Sequence, residues 1–450
     1  MKRQSGVLMP LFSLPGTYGI GTLGVGARRF IDAIAEAGFS LWQTLPFCPP
    51  DGYRSPYAGR SSFAGDPAYL DPGELLSAGL LTAAEATALE RPEGSEVDAG
   101  AIAARLPILM AAADRCDRTA VEEFLDKSPG VAAYCRLAAE TEGGSFDAYA
   151  FLQYEFFREW EALRAYAHSR GITVIGDLPI YSAPGSYDTR MAPTAYRQEG
   201  NVAGAPPDMF AADGQVWGNP LYDYPAMQRD GYAFLRDRFA FLRDRFDGLR
   251  LDHFRGYSSY YAIPAGASAA EGRWEEGPGQ AFFDAIADLT AGYPMIAEDL
   301  GVIDDATNAL RRQNGFLSTR VFQFAFLGDP ESPHLPEHCH EDCAVYSGTH
   351  DNDTLASFLA SLGEEKREEI LSCLGREEGE PPTETVIRTL LATDATLAIF
   401  PLADLLALGG DARINTPGTA EGNWSHRVTG ETLSLLDRER YLAMNRAAGR

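Results

Sequence analysis

The chain has 450 residues, with 64 Asp and Glu against 38 Lys and Arg, a formal net charge of −26. That balance repels phosphate backbones and anionic lipid, so nucleic acid and membrane surfaces are excluded as natural partners, while a neutral or cationic substrate suits it. The length fits one large barrel with insertions or two to three average domains. With 45% hydrophobic and 11% aromatic residues the chain can bury a sizeable core, which argues against wholesale disorder.

Six cysteines in a chain this long make no disulfide framework. The run His338-Cys339-His340-Glu341-Asp342-Cys343 gathers metal-ligand types. No second ligand pair accompanies it, and a polar loop explains it equally well. Neither a metal nor a cofactor is expected. Met1-Lys2-Arg3 before Gly6–Phe12 superficially resembles a signal peptide, but Pro10 interrupts the short apolar run and no small-residue cleavage site follows. A first buried strand is the better reading. No segment approaches the roughly 18 apolar residues of a membrane span, and a cytoplasmic protein is expected.

Short apolar runs ending in polar residues follow in chain order: Gly6–Leu11, Leu41–Pro46, Ile172–Asp177, Leu249–Asp252, Pro294–Asp299, Arg320–Phe324, Ala344–Asp351 and Ala398–Leu402. Helix-like segments separate most of them. Strand–helix alternation implies parallel pairing, and eight such units predict an α/β fold of the (β/α)8, or TIM-barrel, type. Between the second and third runs lie a Gly/Pro/Ser/Tyr-rich loop near 49–70 and an Ala-rich, mostly helical region. The latter is expected as an insertion subdomain over about 71–150, capping one catalytic barrel that spans 1–450. A second long loop, about 181–225, is rich in Gly, Pro, Asn and aromatics; its length suggests function and its aromatic content argues against disorder. In Ala233–Phe246 the unit Ala-Phe-Leu-Arg-Asp-Arg-Phe occurs twice, and Leu235, Phe239, Leu242 and Phe246 form one apolar stripe of a barrel helix.

The most informative stretch is Gly248–Gly256. Leu249 and Leu251 alternate with Arg250 and Asp252, the period of a strand, and the strand ends in Arg250, Asp252, His253 and Arg255. Burying such charges unpaired costs several kcal/mol or more. Alone, the stretch fits a structural salt-bridge cluster as well as a site. In a parallel barrel, however, residues just past the strand ends converge on one mouth. The acids there are Asp177, Asp252, Glu298 with Asp299, and Asp351. Several carboxylates without Cys or clear His ligands suggest acid/base and nucleophilic chemistry of the glycoside-cleaving kind. Trp42, Tyr53, Tyr57, Trp217, Tyr222, Tyr224, Tyr257, Tyr260, Tyr261 and Trp424 lie in or beside the candidate loops. Aromatic faces stack on sugar rings; the plainer reading is that half of them pack loops together.

Read together, these motifs resemble the 4-α-glucanotransferases, called amylomaltases or disproportionating enzymes, of the α-amylase clan. The resemblance runs from Gly6 to about Arg427. It is carried by Ser13–Gly21, Ser55-Pro56-Tyr57 with Phe63–Pro67, Gly176–Tyr181, Ala203–Asp208 with Gly214–Tyr222, Arg250–Gly256, Ala297–Gly301, Gly348–Thr354, and Asn415–Thr419 with Gly422-Asn423-Trp424. It implies a retaining transferase that moves α-1,4-glucan segments between maltooligosaccharides, with glucose among its acceptors. It implies that Asp252 is the nucleophile forming a β-glucosyl-enzyme, Glu298 the general acid and then base, and Asp351 the third carboxylate on the distorted sugar. His350 would bind sugar hydroxyls, Arg250 would keep Asp252 ionised and aimed, and Tyr57, Asp177, Gln215, Trp217, Asn219, His253 and Asn423 would line sugar subsites. Two other readings stay open at this point: the same chemistry with water as acceptor, and a non-catalytic glucan-binding protein on an inherited barrel. The sequence departs from the family in four places. Glu275-Glu276 stand where a Lys is common, Ser186–Gly200 follows the usual Asp-containing pattern loosely, the helical region after Leu75 is short, and Phe326-Leu327-Gly328 lacks an expected acid.

Overall fold

The computed structural model describes residues 2–198, 200–207, 213–326 and 329–450. Twelve strands are present among them: β1 Gln4–Leu8, β2 Leu41–Gln43, β3 Thr173–Leu178, β4 Asn201–Ala205, β5 Gln215–Pro220, β6 Gly248–Leu251, β7 Ser259–Pro264, β8 Arg273–Glu276, β9 Met295–Ala297, β10 Leu317–Val321, β11 Cys343–Tyr346 and β12 Leu397–Pro401. Eight of them close a barrel in the order β1-β12-β11-β10-β9-β6-β3-β2, and every barrel pairing given is parallel. The expected (β/α)8 barrel is therefore the fold. Inward-pointing Leu8, Leu41, Ile175, Ile296, Leu317, Tyr346, Leu397 and Ile399 fill its interior as one apolar cluster, so the barrel is a packed core that lifts polar groups to its rim.

Helices pack outside because their stripes are apolar. Helix Ala233–Arg243 buries Leu235, Phe239 and Leu242, and Phe246 just beyond it is 2% exposed. Gly176 lets β3 take this load: a Cβ there would lie 2.5 Å from the Phe246 ring. Helices Ala99–Ala111, Arg118–Asp126 and Pro129–Glu142 pack against the 24-residue helix Phe146–Ser169, which leads into β3. Among the described residues no helix is long and apolar enough to cross a membrane.

The regions read from sequence as loops hold a second sheet. β5-β4-β7-β8 form an antiparallel sheet built from the excursions after β3 and after β6. The sixth barrel strand also lies three residues earlier than Arg320–Phe324: it is β10, and Phe322–Phe324 turn as a 3-10 helix. Asp208 of the quoted loop motif, Glu199, and Leu327-Gly328 lie outside the described residues.

Candidate active site

The ends of β3, β6 and β9 set the charged centre. The parallel ladder continues one residue past β6, because Asp252 N–H donates to Leu178 O at 3.1 Å and Glu298 N–H to Leu251 O at 2.9 Å. His253 then takes a left-handed φ of 44°. That turn lets its N–H donate to Glu298 Oε2 at 2.7 Å, while Phe254 N–H donates to Glu298 O at 2.9 Å. Backbone thus aims both acids, so their relative placement depends little on flexible side chains.

Arg250 joins the carboxylates. Its Nη1 donates to Asp177 Oδ2 at 2.8 Å and Oδ1 at 3.0 Å and to Asp252 Oδ1 at 3.0 Å, and its Nη2 lies 3.9 Å from Glu298 Oε2. The Arg250 and Asp177 side chains are 5% and 0% exposed, whereas Asp252 retains 25% and faces the mouth. Burying three acids around one guanidinium is sustainable only while the ion pairs and hydrogen bonds are made. Burial drives Glu298 up to about 8, with Arg250 pulling back and the Asp252 charge adding to the rise. Burial also raises Asp177, against Arg250 and the hydrogen bond from Tyr57. Burial thus favours the protonated form of Glu298, beside a partly open carboxylate held by a guanidinium.

The opposite wall comes from the segment after β11. His350 is 2% exposed and its Nε2 lies 3.4 Å from Asp351 Oδ2. Tyr57 stacks on His350 with centroids 5.2 Å apart and donates its hydroxyl to Asp177 Oδ2 at 2.8 Å. Trp424 closes the group, 6.0 Å from both rings. Burial lowers both His350 and His253, the latter to about 4, so both are neutral imidazoles. Among the described residues neither His350 Nδ1 nor His253 Nε2 has a hydrogen-bond partner.

The other residues singled out from sequence divide into those at this centre and those that brace it. Trp217 meets His253 edge-on at 4.8 Å, and Gln215 Oε1 accepts the Trp217 indole N–H at 3.0 Å. Asn219 donates to Ser182 O at 2.9 Å. Asn423 works inside its own loop, accepting from Thr416 N–H at 2.8 Å and donating to Thr419 O at 2.9 Å. Asp299 turns away from the mouth: its carboxylate accepts from Ser318 Oγ at 2.6 Å and Thr319 N–H at 2.8 Å, tying β9 to β10. Trp42, Tyr222, Tyr224, Tyr257 and Tyr260 are buried packing residues, while Tyr53 is 60% exposed. Glu275 accepts from Tyr260 at 2.9 Å and pairs with Arg197 at 2.6 Å and Arg273 at 2.8 Å, so it locks β8 to β7. Among the described residues no group of three His, Cys, Asp or Glu could hold a metal ion. The Cys339 and Cys343 thiols instead donate to Leu335 O and His340 O.

Sequence reasoning assigned no role to Asn415 and Arg413. Asn415 Nδ2 donates to Asp351 Oδ1 at 2.6 Å, its N–H to His350 O at 3.0 Å, and Arg413 Nη2 donates to Asp351 O at 2.9 Å. Asn415 lay within a quoted motif; nothing in the pattern around Arg413 marked it.

A parallel barrel whose mouth gathers ion-paired carboxylates and aromatic faces defines a class, the acid/base enzymes that work on carbohydrates at the C-terminal ends of barrel strands. The comparisons narrow it. The 4-alpha-glucanotransferase family profile matches residues 9–143 and 121–433. The chain is 37% identical to the 4-alpha-glucanotransferase of Aquifex aeolicus strain VF5, over 95% of each chain. It is 35% identical to that of Thermus thermophilus, over 100% of this chain and 99% of the relative. The amylomaltase from Streptococcus agalactiae in complex with acarbose superposes with a TM-score of 0.94 at 29% identity, covering 100% of both chains. The chain belongs to the 4-α-glucanotransferase family.

Proposed function

We propose that the enzyme transfers α-1,4-glucan segments between maltooligosaccharides by a retaining double displacement. Asp252 Oδ attacks C1 of the donor glucosyl unit from the β face, and the C1–O4 bond breaks as Glu298 gives its proton to the leaving O4. The acceptor's 4-hydroxyl then loses its proton to Glu298, and its oxygen attacks C1 and releases Asp252. Two inversions return the α configuration.

The observation that carries this reading is the division of labour around Arg250. One carboxylate is paired with the guanidinium and partly open, and another nearby is held protonated up to about 8 by burial. Such a division supports reading Asp252 as nucleophile and Glu298 as proton donor. Asp351, 40% exposed and fixed at Oδ1 by Asn415, would accept hydroxyls of the distorted sugar. The unpartnered nitrogens of His253 and His350 would bind hydroxyls too, and Tyr57, Trp217 and Trp424 would offer ring faces. The relatives' shared name and the acarbose bound to the S. agalactiae enzyme support an oligosaccharide in this mouth.

Maltotriose with product chromatography over time tests the function. Glucose and a ladder of longer oligosaccharides should form, with few new reducing ends. New reducing ends formed at the rate of bond cleavage would make water the acceptor and the enzyme a hydrolase. Asp252→Asn and Glu298→Gln should each abolish redistribution, and near-normal rates in either would overturn the assignment.

A further inference from the structure

We infer that Asp404, far from Asp351 in sequence and 1% exposed, is a positioning residue that sets the Asp351-bearing loop for transfer. The loop runs from Ser347, just past β11, to Leu355, where helix Leu355–Ser361 begins. One carboxylate holds both ends. Ser347 Oγ–H donates to Asp404 Oδ2 at 2.6 Å, and Leu355 N–H donates to Asp404 Oδ1 at 2.8 Å. Asp404 sits three residues past β12 on the short helix Leu402–Leu405 and is 1% exposed. It draws together two points eight residues apart, and His350 and Asp351 ride on the arc between them.

The arc has its own internal ties. Thr349 N–H donates to Asn352 Oδ1 at 2.8 Å, and Asp351 N–H to Thr349 Oγ1 at 3.2 Å. Gln323 Nε2 donates to Asp353 O at 2.7 Å from beyond β10. Asn415 and Arg413 grip Asp351 from the front. None of these fixes the span between the loop's ends; Asp404 does. A core-facing Asp is a poor choice for stability alone. The groups that act on it are two donors and the like-charged Asp353, with no cation among them, and burial raises its carboxyl to about 6. A buried acid held without a counter-ion weakens the fold, and a well-packed apolar residue would serve packing better. What the carboxylate adds is two acceptors on one rigid plane, a fixed distance apart, which an apolar side chain cannot provide.

This inference rests on reading Asp351 as a carboxylate that contacts the reacting sugar, and the test separates the two. Initial rates with maltotriose are measured for wild type, Asp404→Asn, Asp351→Asn and the double variant, with thermal unfolding of each. Asp404→Asn keeps the shape but replaces one carboxylate oxygen with an NH2 group, so the charge-assisted bond from Ser347 Oγ–H is lost and Ser347 can only accept there. It should lower kcat on the order of 10- to 100-fold, the scale of a misplaced reactive group, with KM within about threefold. In the Asp351→Asn background the same change should alter kcat less than about twofold, because a positioning residue has nothing left to position. An equal loss in both backgrounds would make Asp404 merely structural and overturn the inference, as would a wild-type kcat in Asp404→Asn. Near-normal activity in Asp351→Asn alone would instead overturn the reading on which it rests. Ser347→Ala removes one tether with little volume change, and it repeats the cycle should Asp404→Asn fail to fold. A smaller kcat loss that vanishes with Asp351→Asn is then expected, and an undiminished loss contradicts the inference.

Discussion

The two walls of the mouth are held by different means. On one, Asp252 and Glu298 follow β6 and β9 directly, and barrel-ladder hydrogen bonds of 3.1 and 2.9 Å aim their backbones. On the other, Asp351 lies five residues past β11 and owes its place to side chains far along the chain, Asn415 at 2.6 Å among them. The first wall inherits its geometry from sheet register. The second is assembled from long-range polar contacts, each of which can be removed without touching the barrel. Substitutions on the first wall should therefore act through chemistry or charge burial, and those behind the second through geometry.

The largest effects belong to the strand ends. Glu298→Gln removes the proposed proton donor and should lower kcat by roughly 10²- to 10⁴-fold in steady-state transfer from maltotriose. The sign of the pH dependence follows from the raised carboxyl. The proton must be present for cleavage, Glu298 carries it up to about 8, and kcat/KM should fall roughly tenfold per pH unit above that point. A basic limb that persists unchanged in Glu298→Gln with residual activity would assign the limb to another group.

Arg250→Met comes next. It leaves Asp177 buried without its cation and frees Asp252, so the unfolding free energy should drop by about 3–5 kcal/mol along with activity. Chemical denaturation measures the first and glucose release the second. A stable, active variant would show that the carboxylates do not depend on the guanidinium.

On the other wall, Asn415→Ala removes the amide hydrogen bond that fixes Oδ1 of the partly exposed Asp351 carboxylate. It should lower kcat/KM about 10- to 100-fold with the thermal midpoint nearly unchanged. A loss confined to stability would remove the distinction between the walls. The smallest effect is expected at Glu275→Gln in the second sheet, where neutralising the hub of Arg197 and Arg273 should cost about 1 kcal/mol of stability. Transfer kinetics under saturating maltotriose should stay within about twofold; a larger change in KM for the acceptor would bring β8 into the site.

The same contrast explains what could be read from the sequence. The eight barrel strands and the stripe Leu235–Phe246 were legible because local periodicity encodes them. Residues at strand ends, such as Asp177, Asp252 and Glu298, follow from the fold once it is recognised. Within Glu298-Asp299 the pattern could not say which acid faces the mouth, since only the register with Ser318 and Thr319 turns Asp299 outward. The antiparallel sheet was illegible: β4 reads Asn-Val-Ala-Gly-Ala and β8 Arg-Trp-Glu-Glu, without alternation, and they are held by their partners, β4 by β5 and β7 and β8 by β7. β10 was displaced because Phe322 and Phe324 prolong an apolar run that the chain uses as a turn. Asn415 and Asp404 carry no local signal of their partners 64 and 49–57 residues away.

The central claim is that Asp252 carries the sugar between two displacements. Glu298→Gln should still react with α-glucosyl fluoride, whose leaving group needs no acid, while transfer onward is slowed for want of a base. Peptide mapping by mass spectrometry after quenching should then find a glucosyl ester on Asp252 alone. A label on another carboxylate, or rapid turnover to a β-configured product with no labelled peptide, would contradict the account.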